Sequence, residues 1–153
     1  MADSEAEVVL RRPRAADFNE WSGLWAAYLA FYETSRDETV HRTLFDRLLS
    51  DDPRQFQAFV AERDGALLGL VHYVLHPHGW RIEDTCYLQD LYVSPDARGT
   101  GLGRKLIEAV YAAADEAGNP SVYWLTQDFN TEARQLYDRV AELTPFIRYQ
   151  RAL

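Results

Sequence analysis

The residues with chemical promise lie between Leu91 and Ile107. The chain there reads Leu91-Tyr92-Val93-Ser94-Pro95-Asp96-Ala97-Arg98-Gly99-Thr100-Gly101-Leu102-Gly103-Arg104-Lys105-Leu106-Ile107, with three alternating glycines between an apolar run and a helical pattern. Glycine admits positive φ, so successive backbone N–H groups can converge on one charge. A helix beginning near Gly101 adds unpaired donors and the positive end of a dipole. Arg98, Arg104 and Lys105 bring three cations to the same stretch. The whole is an anion cradle, and phosphate is its expected guest. Spacing narrows which phosphate. The pattern G-x-x-x-x-G-K-[ST] is absent, and G-x-G-x-x-G fails because Gly99, Gly101 and Gly103 stand two apart. What fits is R-x-x-G-x-G, Arg98 to Gly103, after Leu-Tyr-Val at a strand end.

The elements that must hold this loop follow from periodicity. Val8 to Arg12 reads as a strand stopped by Pro13. A helix follows, with Asp17 as cap, Glu20 three residues later, and Phe18, Trp21, Trp25, Tyr28 and Tyr32 on one buried face. Thr39 to Leu49 repeats the helical pattern through Val40, Leu44 and Leu48 and ends at Asp51-Asp52-Pro53. Phe56 to Glu62 and Ala66 to Leu75 read as a hairpin turned at Asp64-Gly65. Trp80 to Val93 is a third strand running into the cradle. Gly101 to Ala117 is a helix with Leu102, Leu106, Val110 and Ala113 inward, stopped at Gly118-Asn119-Pro120. Val122 to Thr126 is a strand, Asn130 caps a helix facing inward with Ala133, Leu136, Tyr137 and Val140, and Phe146 to Arg151 is a last strand.

Strand, helix, strand, helix implies a right-handed crossover, so the Val122 strand is expected parallel to the strand feeding the loop. Ligands of open α/β sheets sit beyond such strand ends. The expected class is α/β with a mixed sheet.

Composition bounds the rest. A chain of 153 residues with 47% hydrophobic and 13% aromatic content reads as one folded domain, 1–153. A net charge of -8 disfavours a nucleic-acid partner and suits a cationic or amine substrate. The single cysteine, Cys86, makes no intrachain disulfide and fits a reducing cytoplasm. No apolar run is long enough to span a membrane, and Met1 to Glu7 lacks the pattern of a signal peptide. Three histidines near His76-Pro77-His78-Gly79 lack a fourth good ligand, so no metal is expected.

With the loop in view, the chain resembles the GCN5-related N-acetyltransferase superfamily, whose R-x-x-G-x-G motif binds acetyl-coenzyme A. Asn130-Thr131-Glu132-Ala133-Arg134-Gln135-Leu136-Tyr137 matches that superfamily's N-x-x-A-x-x-L-Y helix. The element order matches as well: β-α-α-β-β-β-α-β-α-β with a splayed parallel pair. Tyr87 to Val93, Tyr123 to Thr126 and Pro145 to Tyr149 resemble the Hpa-type and diamine acetyltransferase branch.

The resemblance implies roles. Leu91, Tyr92 and Val93 would pair with the pantetheine arm. Arg98, Gly99, Thr100, Gly101, Leu102, Gly103 and Arg104 would hold the pyrophosphate, and Asn130, Ala133 and Tyr137 would line the cysteamine end. Tyr137 is the expected general acid, since a phenol of pKa ~10 can protonate a leaving thiolate. Asp90 and Glu33 are alternative bases. Tyr28, Tyr32, Glu33, Tyr87 and Gln89 are the expected acceptor contacts. Gln89 stands where diamine acetyltransferases carry glutamate, and an amide cannot serve as a base, which argues against a strict polyamine assignment. Many superfamily members close with two strands where this chain has room for one, so its last strand is expected to be covered by a second subunit in a homodimer.

Overall fold

The computed structural model describes residues 7–153. The leader reading of Met1 to Glu7 therefore lies, except for Glu7, outside the described residues. Five strands form one sheet in the spatial order β1 (Val9–Arg11), β2 (Gln57–Arg63), β3 (Ala66–His76), β4 (Thr85–Val93) and β5 (Val122–Tyr123). The first three pairings are antiparallel and the β4–β5 pairing is parallel, as the crossover requires. The hairpin turns at Asp64 and Gly65, with φ of 53° and 80°. Positive angles at both positions match the right-handed twist of the flanking strands.

Two helical layers cover the sheet. On one face α1 (Phe18–Phe31) and α2 (Glu38–Leu48) bury Trp21, Trp25, Leu29, Phe45 and Leu48 against Ala58, Val60, Leu67 and Leu70. Trp21 and Trp25 stack at 5.7 Å between centroids. On the other face α3 (Leu102–Glu116) buries Leu102, Leu106, Ile107, Val110 and Ala114 against Val71, Tyr73, Cys86 and Leu88. α4 (Thr131–Val140) leans on that cluster through Leu136, Tyr137 and Val140. Each fully buried large side chain contributes about 1.5–3 kcal/mol, so these two stripes hold the helices to the sheet. Among the described residues no helix is long and apolar enough to cross a membrane.

The elements differ from expectation where pairing runs out. β4 begins at Thr85 rather than Trp80, because β3 ends at His76, which pairs with Thr85, and Pro77 has no N–H to extend the ladder. β5 stops at Tyr123 rather than Thr126, since β4 has by then diverged from it. Asp17 does not cap α1 with its side chain; its carboxylate takes the Arg14 N–H at 2.7 Å and the Arg11 guanidinium at 2.7 and 2.9 Å. Glu20 instead accepts the Leu67 N–H at 2.9 Å, tying α1 to β3. The expected closing strand at Phe146 to Arg151 is absent among the described residues. A strand needs an edge to pair with, and β5 offers only two residues; Phe146 and Ile147 are each 78% exposed.

Candidate active site

The site begins where two strands part. β4 and β5 pair at Cys86 with Val122 and at Tyr87 with Tyr123, and no further. Beyond Tyr87 the edge of β4 that faced β5 has no strand partner, so its backbone groups are available to a ligand. A register shift opposite His72 and Tyr73 leaves Gln89 as the extra residue of a bulge, exposed on the strand. His72 pairs with Asp90 and Tyr73 with Leu88 on either side of it.

At the end of β4 the chain makes a short turn at Pro95–Ala97 and enters the cradle. Gly99 and Gly101 take φ of 77° and 80°, in the left-handed region that a side chain would strain. Gly101 stands at the start of α3 with no side chain capping the first turn, so donors there are free. Arg98 reaches back to the Val93 carbonyl through Nε at 3.1 Å. Arg104 pairs with Glu108 at 2.8 Å, and the Thr100 hydroxyl donates to the Ala97 carbonyl at 2.6 Å. A Cβ on Gly103 would meet Leu136 Cδ2 at 3.3 Å, so the third glycine lets α4 approach α3.

A cleft of about 390 Å³ follows the open edge of β4. Leu91, Tyr92, Val93, Arg98, Gly99, Gly101, Leu102, Gly103, Arg104, Asn130, Ala133 and Tyr137 line it, as do Tyr28 and Tyr32 from α1. Of the expected coenzyme contacts, Thr100 alone lies outside the lining. Tyr87, Gln89, Asp90 and Glu33 also lie outside it. Glu33 is exposed in the turn after α1, at φ 57°.

Electrostatics ties several of these groups together. Tyr137 packs edge-on to Trp124 at 5.4 Å, and burial, then Tyr32, pushes its hydroxyl up to about 12. Burial, then the carboxylate of Asp90, raises Tyr28 and Tyr32 above the ordinary phenol value. Tyr87 is raised by burial, with Arg148 opposing and Asp90 adding. These phenols therefore keep their protons at neutral pH, and Tyr28, Tyr32 and Tyr137 bring theirs to the cleft lining. Asn130 sits at the start of α4, yet its side chain caps nothing; Nδ2 lies 3.4 Å from Thr126 Oγ1.

Sequence reasoning did not single out His72. Its ring is fully buried between Trp21 and Asp90, where the signal was a histidine alternating with Leu70 on the core-facing side of β3. His76 and His78 go elsewhere, to the Tyr123 hydroxyl at 2.9 Å and the Trp80 N–H at 3.1 Å.

The family model of the acetyltransferase (GNAT) family matches residues 21–141, and the chain belongs to that family. The chain is 37% identical over 145 residues to the D-amino-acid N-acetyltransferase HPA3 of Saccharomyces cerevisiae, covering 94% of this chain and 90% of that one. The Hpa-type resemblance holds, and the protein is an N-acetyltransferase. A thialysine N-epsilon-acetyltransferase of Bos taurus is 39% identical over 51 residues, 33% of this chain and 30% of its own. Among solved structures, an aminoglycoside N-acetyltransferase, AAC(6')-Iy in complex with CoA, superposes with a TM-score of 0.85 at 18% identity, over 99% of each chain, a likeness of fold.

Proposed function

We propose that this enzyme moves an acetyl group from acetyl-coenzyme A to a primary amine of a small molecule, such as an amino acid or polyamine. The observation that carries the reading is one continuous cleft, from the positive-φ glycines along the unpaired edge of β4 to the buried hydroxyl of Tyr137. The donor set fits the coenzyme: free N–H groups at Gly99 to Arg104 suit a pyrophosphate, and the open strand edge suits the amides of a pantetheine arm. Asn130, freed from capping, is available to the same arm. The name of the yeast relative supports an amino acid as acceptor.

When bound, acetyl-coenzyme A supplies an acetyl group activated as a thioester. The chain's own residues do the rest. A β4 N–H on the open edge, at Val93 or a neighbour, polarises the carbonyl by donating to its oxygen. Asp90, backed by Tyr28, Tyr32, Tyr87 and the exposed Gln89, receives the acceptor's amino group and takes its proton directly or through water; Glu33, at the helix end, is the alternative base. The nitrogen, neutral once that proton is gone, would bond to the carbonyl carbon as the C–S bond breaks and release its second proton to solvent. Tyr137 gives its proton to the sulfur and recovers one from solvent.

The same proposal includes one catalytic domain, a cytoplasmic setting and a homodimer. The dimer draws on the segment after α4, where Leu143, Phe146, Ile147 and Tyr149 are exposed beside a groove of about 850 Å³ between β5 and α4. A monomer in sedimentation at micromolar concentration would contradict it. The function is tested by thiol release from acetyl-coenzyme A with a panel of D- and L-amino acids, polyamines and lysine peptides. Turnover on the free amines supports the reading. Turnover on peptides alone makes this a protein acetyltransferase, and tight coenzyme binding without turnover makes it a binding module.

A further inference from the structure

Under the acceptor end of the cleft a histidine is locked in one protonation state by a tryptophan. His72 on β3 and Trp21 on α1 are both fully buried. Trp21 Nε1 lies 3.0 Å from His72 Nε2, and His72 Nδ1 lies 2.8 Å from Asp90 Oδ2. An indole N–H can only donate, so Nε2 of His72 must offer its lone pair. The imidazole proton is then on Nδ1 and is donated to Asp90. A doubly protonated ring would set two N–H groups head to head at Trp21, at a position where both rings are fully buried. The chain of donors thus has one direction, Trp21 to His72 to Asp90.

That direction matters for charge. A histidine beside a buried aspartate ordinarily gains a proton and neutralises it. Here Nε2 is already engaged by Trp21, so the proton that His72 shares is the one on Nδ1, donated to Asp90. Around Asp90 stand phenols, one of which, Tyr87, also feels Arg148 from the segment after α4. From α1, Tyr28 and Tyr32 face Asp90, and from β4, Tyr87 does so. His41 of α2 stands behind Trp21, at 6.2 Å between ring centroids, and shares its Nδ1 with the Ser22 hydroxyl at 2.7 Å. The second carboxylate oxygen of Asp90 takes no part in the chain of donors.

We infer that His72 is a positioning residue for the acceptor amine: held neutral by Trp21, it orients Asp90 and leaves the carboxylate's full charge to the substrate's ammonium group. This inference rests on Asp90 receiving the acceptor amine. It predicts selectivity for amines that arrive protonated, with affinity that does not decline through the range where histidines ordinarily titrate. Trp21, remote from any substrate and otherwise a core residue, thereby sets the pH response of the acceptor site.

Two measurements test it. In the intact enzyme at pH 7 to 8, the imidazole nitrogen shifts of His72 should show Nδ1 protonated and Nε2 bare. An Nε2-protonated tautomer, or an imidazolium within that range, overturns the inference without touching the assignment of Asp90. In Trp21→Phe the ring nitrogen is released, so His72 can become a cation paired with Asp90. The amine KM relative to the parent should then rise about tenfold by pH 5.5, following a single ionisation near ~6.5, with little change in kcat. Adding His72→Asn, which keeps a donor for Asp90 and cannot be protonated, should abolish the rise. A flat KM ratio in Trp21→Phe overturns the inference; should that variant not fold, the shifts of the parent decide alone. Asp90→Asn separates the two levels, because an unchanged amine KM there defeats the acceptor-site reading itself.

Discussion

Tyr137 meets Trp124 edge-on, with ring centroids 5.4 Å apart and planes at 69°. Trp124 is the first residue past the point where β5 leaves β4, so the contact braces the phenol of α4 across the gap between the strands. Edge-to-face aromatic pairs favour a fixed geometry, which is what proton delivery to one sulfur atom requires.

Removing the hydroxyl should therefore separate chemistry from binding. Tyr137→Phe keeps the ring and its packing, and we expect coenzyme affinity to stay within about twofold while kcat falls about 10²-fold, the scale of a lost general acid. Isothermal titration with coenzyme A and steady-state thiol release measure the two. Unchanged turnover would remove Tyr137 from the role of acid.

The cradle is open to an equally direct test. Gly101 has φ 80° and open space around its Cβ position, so a side chain there fits sterically but strains the backbone by about 1 kcal/mol or more. Gly101→Glu adds a negative charge at the donors of α3. Coenzyme binding should be lost in titration while the circular dichroism spectrum persists; retained binding would detach the loop from the pyrophosphate.

The two candidate bases make different predictions. Asp90 is 5% exposed and faces three tyrosines, whereas Glu33 is exposed in the turn after α1; both lie outside the cleft lining. Asp90→Asn should raise the amine KM at least about tenfold, near the value of one hydrogen bond to a charged group, and Glu33→Gln should change it less than twofold. The reverse order would move the acceptor site to the end of α1.

Stability at high pH follows from the phenols. Tyr28, Tyr32, Tyr87 and Tyr137 are all raised above the ordinary value, by burial first. In the unfolded chain these groups ionise near pH ~10, while the folded chain holds their protons to higher pH. Their contribution is intact below pH ~10 and is lost as pH rises beyond it, through about 12 for Tyr137. The thermal midpoint should be level from pH 7 to 9 and fall steeply above 10. A midpoint that rises there would contradict the burial of these hydroxyls.

Much of this molecule is legible in its sequence because local signals and tertiary packing agree. The cradle and the hairpin at Asp64-Gly65 are written in spacing and form where spacing puts them; of the α1 stripe Trp21 and Trp25 are buried, while Phe18 and Tyr28 are half-buried and Tyr32 lies just past the helix end. What failed depends on partners far along the chain. Phe146 to Arg151 alternates like a strand, yet β5 gives it no usable edge. Asp17 has the spacing of a cap, yet Arg11 and Arg14 claim its carboxylate. His72 could not be recognised as part of a donor chain because Trp21 and Asp90 lie 51 and 18 residues away. Most of the cleft lining coincides with residues that the family resemblance names, whereas Glu33, Tyr87, Gln89 and Asp90 lie outside it; the hydrogen bonds at Asp90 depend on contacts across three elements.

Gly103 joins the two ends of the reaction more closely than its place in the motif suggests. Its missing side chain lets Leu136 come within 3.3 Å of where a Cβ would stand, and Leu136 precedes Tyr137. The glycine thus acts as a gauge block between the glycine loop and the helix that carries Tyr137. A single methyl at that position would shift the neighbour by a few tenths of an ångström, and the acid would move with the helix that carries it. In the proposed mechanism, the loop that would hold the coenzyme's pyrophosphate also sets the reach of the hydroxyl that would protonate its sulfur.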